Sequence, residues 1–78
     1  MSRVQTGVRI EKRILLVLKA LAAQLDLTLG DLLEGMALHA FEGKPPFGKA
    51  TLARVESLRE VYDLDLTAAD SHLLIERR

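Results

Sequence analysis

The chain has 78 residues, 49% of them hydrophobic, and equal numbers of acidic and basic residues give it a net charge of zero. It contains no cysteine, which excludes disulfide bonds and thiolate metal sites. The first apolar run starts at Ile14, is interrupted by Lys19 and is too short to span a bilayer. No signal peptide is recognisable, so we expect a cytoplasmic protein without membrane contact.

The first predicted element is a short β-strand over residues 4–10. Its side chains alternate between an apolar and a polar face, formed by Val4, Thr6, Val8 and Ile10 and by Gln5, Gly7 and Arg9 respectively. A lone strand leaves backbone N–H and C=O groups without partners, and no second strand-like segment follows. We therefore expect this segment to pair with the same segment of a second copy, which makes a dimer part of the fold.

Two amphipathic helices are predicted next, over about residues 11–25 and 29–41. Apolar residues spaced three and four apart give the first helix one buried face, made of Ile14, Val17, Leu18, Leu21, Ala22 and Leu25. Thr28 is suited to cap the second helix, and Asp31 favours the positive end of its dipole. The apolar face of that helix consists of Leu29, Leu32, Leu33, Met36, Ala37, Ala40 and Phe41.

Two prolines and two glycines fall within residues 43–48 and mark residues 44–48 as a linker between a domain at 1–43 and an extension at 49–78. The extension is predicted to hold a helix with an apolar face of Leu52, Val55, Leu58 and Tyr62. A second, short helix is predicted after an N-cap at Thr67, through Leu73, Leu74 and Ile75. The apolar face is a candidate partner-binding surface. The alternatives are that it packs back on the domain or builds a higher oligomer, and periodicity does not separate these possibilities.

The spacing of strand, turn and second helix gives residues 4–41 a resemblance to a known family. Val8-Arg9-Ile10 leads directly into a helix, Leu21-Ala22-Ala23 follows, and the segment from Leu27 to Leu33 forms the turn and the start of the next helix. In this arrangement the segment resembles the ribbon-helix-helix family of DNA-binding proteins. The resemblance implies a mostly α-helical, intertwined homodimer with a two-stranded antiparallel ribbon between the subunits, here with a C-terminal helical extension.

The resemblance also implies which residues contact DNA. Outward residues of the ribbon read bases in the major groove, and the corresponding residues are Gln5, Gly7 and Arg9. Arg can bind guanine and Gln can bind adenine through paired hydrogen bonds, whereas Gly7 has no side chain for readout. Backbone N–H groups that open the second helix hold a phosphate in this family, here those of Thr28, Leu29 and Gly30.

Residues 1–19 contain five basic residues and one acidic residue, a net charge of +4, while residues 60–70 contain four acidic residues and no basic residue. Within the basic segment, Arg3, Lys12 and Arg13 are candidates for further phosphate contacts. Ordinary solvated surfaces are the alternative explanation for both charged segments.

These features lead to two functional hypotheses. The first is a sequence-specific, dimeric transcriptional repressor that binds double-stranded DNA and, if it is an antitoxin, represses its own operon. The alternative is a protein-interaction module, a toxin-neutralising antitoxin or an assembly protein, whose extension binds a partner. An enzyme is not expected, because Ser57 and Ser71 lack a recognisable His and acid partner. We expect no cofactor and no metal, since His39 and His72 belong to no ligand cluster.

Overall fold

A computed structural model describes residues 1–71 of the chain, and the fold is built from three helices of 13 residues each. They are α1 (Lys12–Gln24), α2 (Leu29–Phe41) and α3 (Lys49–Val61). Residues 1–10 form an extended segment ahead of α1, called the arm below, and residues 68–71 are helical. The short helix predicted through Leu73, Leu74 and Ile75 lies largely outside the described residues, as does His72.

The predicted strand is wrong, and with it the ribbon-helix-helix fold. The described residues contain no strand, and no backbone hydrogen bond joins residues 1–10 to any other described residue. A two-stranded ribbon needs a second extended segment to pair with, and the rest of the described chain consists of helices, turns and short irregular loops. The alternation of apolar and polar residues in the arm therefore reflects an extended segment without a sheet.

The start of each of the first two helices is fixed by a side chain. The carboxylate of Glu11 accepts hydrogen bonds from the backbone N–H groups of Arg13 at 2.8 Å and Ile14 at 3.2 Å. The hydroxyl of Thr28 accepts one from the N–H of Asp31 at 3.0 Å, so the predicted cap of α2 is confirmed. These bonds satisfy backbone donors that an α-helix leaves free in its first turn.

All three helices end in the same way. The residue after each C-cap has a positive φ, with values of 58° at Asp26, 69° at Gly43 and 53° at Asp63. The next backbone N–H bonds back to the helix, from Leu27 to the Ala22 carbonyl in α1, from Lys44 to His39 in α2 and from Leu64 to Arg59 in α3. This is a Schellman motif, in which the left-handed residue turns the chain away from the helix axis.

The core lies between α1 and the two other helices. Three of its buried side chains come from α1, and α2 and α3 contribute one each; they are Val17, Leu21, Ala22, Leu32 and Leu58. Around them pack partly buried residues, among them Leu18, Leu25, Met36, Phe47, Val55, Tyr62 and Leu64. Helix α1 packs against both α2 and α3, so the predicted extension and the predicted domain share one core. None of the helices in residues 1–71 is long and apolar enough to cross a membrane.

Candidate nucleic-acid interface

Residues 1–9 of the arm are all exposed, and they include the residues predicted to contact bases. Gln5, Gly7 and Arg9 are all exposed. Nothing lies within 4 Å of a Cβ placed at Gly7, so the absence of a side chain there is not required by packing in this chain. The predicted base contacts therefore lie together on one accessible segment, although no strand holds them in register.

Three basic side chains, one on this segment and two on α1, remain free to bind an anion. Arg9, Lys12 and Lys19 are exposed, and none of them forms an ion pair with another residue in the described part of the chain. Lys19 lines the same groove as Gln5, between the arm and α1. The free positive charge of the N-terminal region is thus concentrated around the end of the arm and the first half of α1.

Arg3, a predicted phosphate contact, is bound to acidic residues of α2 instead. Its Nε donates to Oε2 of Glu34 at 2.9 Å, and its Nη2 donates to Oε1 at 3.0 Å. The same Nη2 lies 3.8 Å from Oδ1 of Asp31. The hydrogen bond from Arg3, helped by its charge, holds the pKa of Glu34 below its usual range despite some desolvation. Arg3 is therefore not free to neutralise a phosphate unless it leaves this pair.

Arg13, another predicted phosphate contact, is bound in the same manner. Its Nε donates to Oε2 of Glu11 at 3.1 Å, and its Nη1 donates to Oδ1 of Asp65 at 2.9 Å and to the carbonyl of Asp63 at 3.0 Å. Desolvation raises the pKa of Glu11, but hydrogen bonds from Arg13 and from the N–H groups of Ile14 and Arg13 lower it by more, so the net shift is downward. Arg13 thus joins the start of α1 to the segment after α3.

The predicted phosphate site at the start of α2 is accessible but acidic. Thr28 and Gly30 are exposed and Leu29 is half-buried, while the hydroxyl of Thr28 is used in the cap. A Cβ at Gly30 would lie 3.9 Å from that hydroxyl, an ordinary contact, so the glycine is not required for space. Asp31 lies in the first turn of the helix, where its charge opposes a bound anion.

Comparison with protein-family models, with curated proteins and with solved structures finds no match to this chain. The arguments for its function therefore come from its own residues.

The predicted partner-binding face of α3 is mostly turned toward the core. Leu58 is buried, and Val55 and Tyr62 are partly buried against the core cluster. Only Leu52, at 49% exposure, remains substantially accessible. A partner that binds all four side chains would have to displace α3 from α1. The helix therefore fits the alternative in which it packs back on the domain.

A second apolar surface, whose residues the sequence analysis had assigned to apolar faces, lies between the arm and the outer side of α2. Val4 and Val8 are 86% and 71% exposed, and Phe41 is 82% exposed. A groove of about 670 Å³ runs between the arm, α1 and α2, lined in part by Leu15, Leu29 and Leu33. The signal for this surface was present in the chain, because both faces of α2 carry large apolar residues.

No metal-binding group of side chains accompanies these surfaces in the described part of the chain. Within residues 1–71, no group of three or more potential metal-ligating side chains comes together. The Nδ1 atom of His39 lies 2.7 Å from the carbonyl of Gly35, one turn earlier in α2, so this ring is engaged with its own helix.

Proposed function

We propose that the chain is a DNA-binding transcriptional repressor that uses its exposed arm to contact DNA. The observation that carries this proposal is the guanidinium of Arg9, exposed and without an ion pair among the described residues, on an arm that also exposes Gln5. Arg and Gln are among the side chains that bind guanine and adenine edges in the major groove through paired hydrogen bonds. Extended basic arms are an established way of reaching DNA bases.

The free charges next to the arm supply the sequence-independent part of the binding. Lys12 and Lys19 are exposed on α1, where contact with phosphates would add affinity without adding sequence information. Arg3 and Arg13 contribute little in this scheme, because their charges are compensated by Glu34 and by Glu11 and Asp65. The salt dependence should therefore reflect few phosphate contacts per chain, fewer than the five cations of residues 1–19 indicate.

The repressor is proposed to act as a homodimer. A chain of this size forms a small core, here five buried side chains among the described residues, and leaves Val4, Val8, Leu38 and Phe41 exposed. Exposed apolar side chains of this kind are typical of protein–protein contacts. A second copy that packs on Leu38 and Phe41, which lie outside the groove lined by Gln5 and Lys19, would bury these two side chains and bring two arms to one DNA site. A palindromic operator would match such a dimer.

The substitution Arg9→Ala tests the DNA-binding hypothesis. Fluorescence anisotropy with the DNA upstream of the gene and with a scrambled duplex measures specific and non-specific affinity across a salt series. We expect Arg9→Ala to weaken binding to the upstream DNA by about tenfold or more, the loss typical of one base contact. The helical circular dichroism spectrum should stay unchanged, because Arg9 lies outside the helices.

Lys49→Ala is a suitable control, since it removes one exposed positive charge at the start of α3, away from the arm. Equal losses for the two variants would show that only charge matters and would contradict base contact by Arg9. Sedimentation of the free protein tests the dimer separately, and a monomer at micromolar concentration would exclude the proposed symmetric binding.

Binding of a toxin by the C-terminal extension remains a prediction. Within residues 49–71 the predicted contact face is largely used in the core, so no described surface there favours it.

A further inference from the structure

The arm is attached to the helices by one polar contact. Among residues 1–10, only Arg3 forms a hydrogen bond or an ion pair with a residue of a described helix. The other end of the arm is fixed covalently, where Glu11 caps α1. Residues 4–9 lie between these two points, with Gly7 in open space near the middle.

Arg3 and Glu34 are joined by two nearly equal hydrogen bonds. The Nε and Nη2 atoms of Arg3 donate to the two carboxylate oxygens of Glu34 at 2.9 Å and 3.0 Å. Such a paired arrangement fixes the orientation of the guanidinium plane as well as its distance. Asp31, one turn earlier on α2, adds attraction on the same side at 3.8 Å.

We propose that Glu34 is a positioning residue, which holds Arg3 on α2 and thereby presents Gln5 and Arg9 in a fixed register. This inference rests on the proposed function for its consequence at DNA, but the anchoring itself does not. With Arg3 released, residues 1–9 would be tethered only at α1 and would sample a region on the order of 30 Å in reach, since an extended chain advances about 3.3 Å per residue. With Arg3 held, the base-contacting residues are confined between two anchors.

In this scheme Arg3 anchors the arm on α2 and does not bind a phosphate. An exposed ion pair contributes little to the stability of a fold, because solvent screens it. Its effect on a flexible segment is different, since ordering the arm before DNA arrives removes an entropy cost from binding. Specific binding depends on that ordering more than non-specific binding does, because only the specific complex needs Gln5 and Arg9 at defined positions.

The test compares Glu34→Gln with Glu42→Gln. Glu42 is an exposed residue at the end of α2 that pairs with Lys44 at 2.9 Å, so both substitutions remove one negative charge and break one ion pair. The measured quantity is the ratio of affinities for the upstream DNA and a scrambled duplex. We expect Glu34→Gln to lower that ratio about tenfold, the size of one misplaced base contact, and Glu42→Gln to leave it within about twofold.

The charge-exchanged double variant Arg3→Glu/Glu34→Arg keeps the pair and the net charge. We expect it to recover most of the ratio lost in Glu34→Gln, whereas a role of Arg3 at phosphates would leave the double variant as impaired as Arg3→Glu alone. Retention of the full ratio by Glu34→Gln would overturn the inference.

A second measurement, made without DNA, separates failure of the anchor from failure of the proposed function. The steady-state ¹H–¹⁵N nuclear Overhauser effect of residues 4–9 reports picosecond-to-nanosecond motion of the arm. We expect it to fall in Glu34→Gln and to stay unchanged in Glu42→Gln. If the wild-type protein does not discriminate between the duplexes, the proposed function fails. In that case, a lower nuclear Overhauser effect in Glu34→Gln than in the wild type supports the anchoring of the arm by Glu34. An unchanged nuclear Overhauser effect overturns it.

Discussion

The arm and helix α3 both carry large apolar side chains, but these side chains are covered to different degrees. In α3, Leu58 is 8% exposed, whereas Val4 and Val8 in the arm are 86% and 71% exposed. A helix satisfies its own backbone hydrogen bonds, so its apolar side can pack on any complementary helix, and α1 is available. An extended segment needs partners for its backbone as well as its side chains. Sequence spacing shows which side of an element is apolar without showing what covers it.

The largest expected effect concerns the core that α1 shares with its neighbours. Leu21 is 1% exposed, and Leu21→Ala should lower the free energy of unfolding by roughly 2–5 kcal/mol through lost burial and the remaining cavity. Val4→Ala should cost less than about 1 kcal/mol for a chain whose arm stays in water. Urea denaturation measures both. A loss for Val4→Ala that matches Leu21→Ala and depends on protein concentration would show that a second copy covers the arm.

The next effect tests whether α3 belongs to the core. Leu58→Ala should destabilise the fold by about 2–3 kcal/mol, while Leu52→Ala, at a half-exposed position of the same helix, should cost less than about 1 kcal/mol. The same denaturation experiment compares them. Similar small losses at both positions would mean that α3 is detached from α1 in solution and that its face is available to a partner.

A smaller effect distinguishes the helix ends. Gly43 has a φ of 69°, so Gly43→Ala introduces a side chain in the left-handed region and should cost about 1 kcal/mol. Asp63 has a φ of 53°, and Asp63→Gly should cost nothing or stabilise slightly, since its backbone carbonyl can still accept from Arg13. The melting temperature should therefore fall in Gly43→Ala and should stay unchanged or rise in Asp63→Gly.

The smallest expected effect is a loss of stability at acid pH that comes from Glu11 and Glu34, each of which is paired with an arginine. Hydrogen bonding by Arg3 lowers the pKa of Glu34, and the pKa of Glu11 is lowered as well. Since folding depresses both pKa values, their contribution is complete above the ordinary glutamate range and is lost as pH falls through the depressed values. We expect stability to decline over that acid interval, and more gently in Glu11→Gln/Glu34→Gln. An identical decline in wild type and double variant would contradict this assignment.

Local features of the fold were predictable from the sequence. The periodicity of apolar residues located α1 within one residue at each end, and the range predicted for α2, residues 29–41, is the observed one. The cap at Thr28 was also readable, because its donor lies three residues away. These features depend on neighbours along the chain, which a sequence displays directly.

Features that depend on distant neighbours were not predictable. Arg3 and Arg13 looked like free cations, but their partners Glu34 and Asp65 lie 31 and 52 residues further along the chain. The predicted ribbon failed for a related reason, because the pattern of residues 4–10 contains no information on whether a strand partner exists. In the candidate interface Gln5 and Arg9 are exposed, but so are Val4 and Val8 of the opposite face, so the predicted division of the arm into a buried and an exposed face is wrong. The free positive charge of this region was also overestimated.

The shared ending of the three helices has a consequence for folding kinetics. Each helix is ended by a hydrogen bond from a residue just beyond it back to its last turn, from Leu27 to Ala22, from Lys44 to His39 and from Leu64 to Arg59. These hydrogen bonds form locally, before distant segments of the chain meet. Helix α1 then packs against α2, the next helix in the chain. Helical proteins dominated by such short-range contacts fold in microseconds to milliseconds. Rapid-mixing refolding of this chain should accordingly be complete within the dead time or the first few milliseconds.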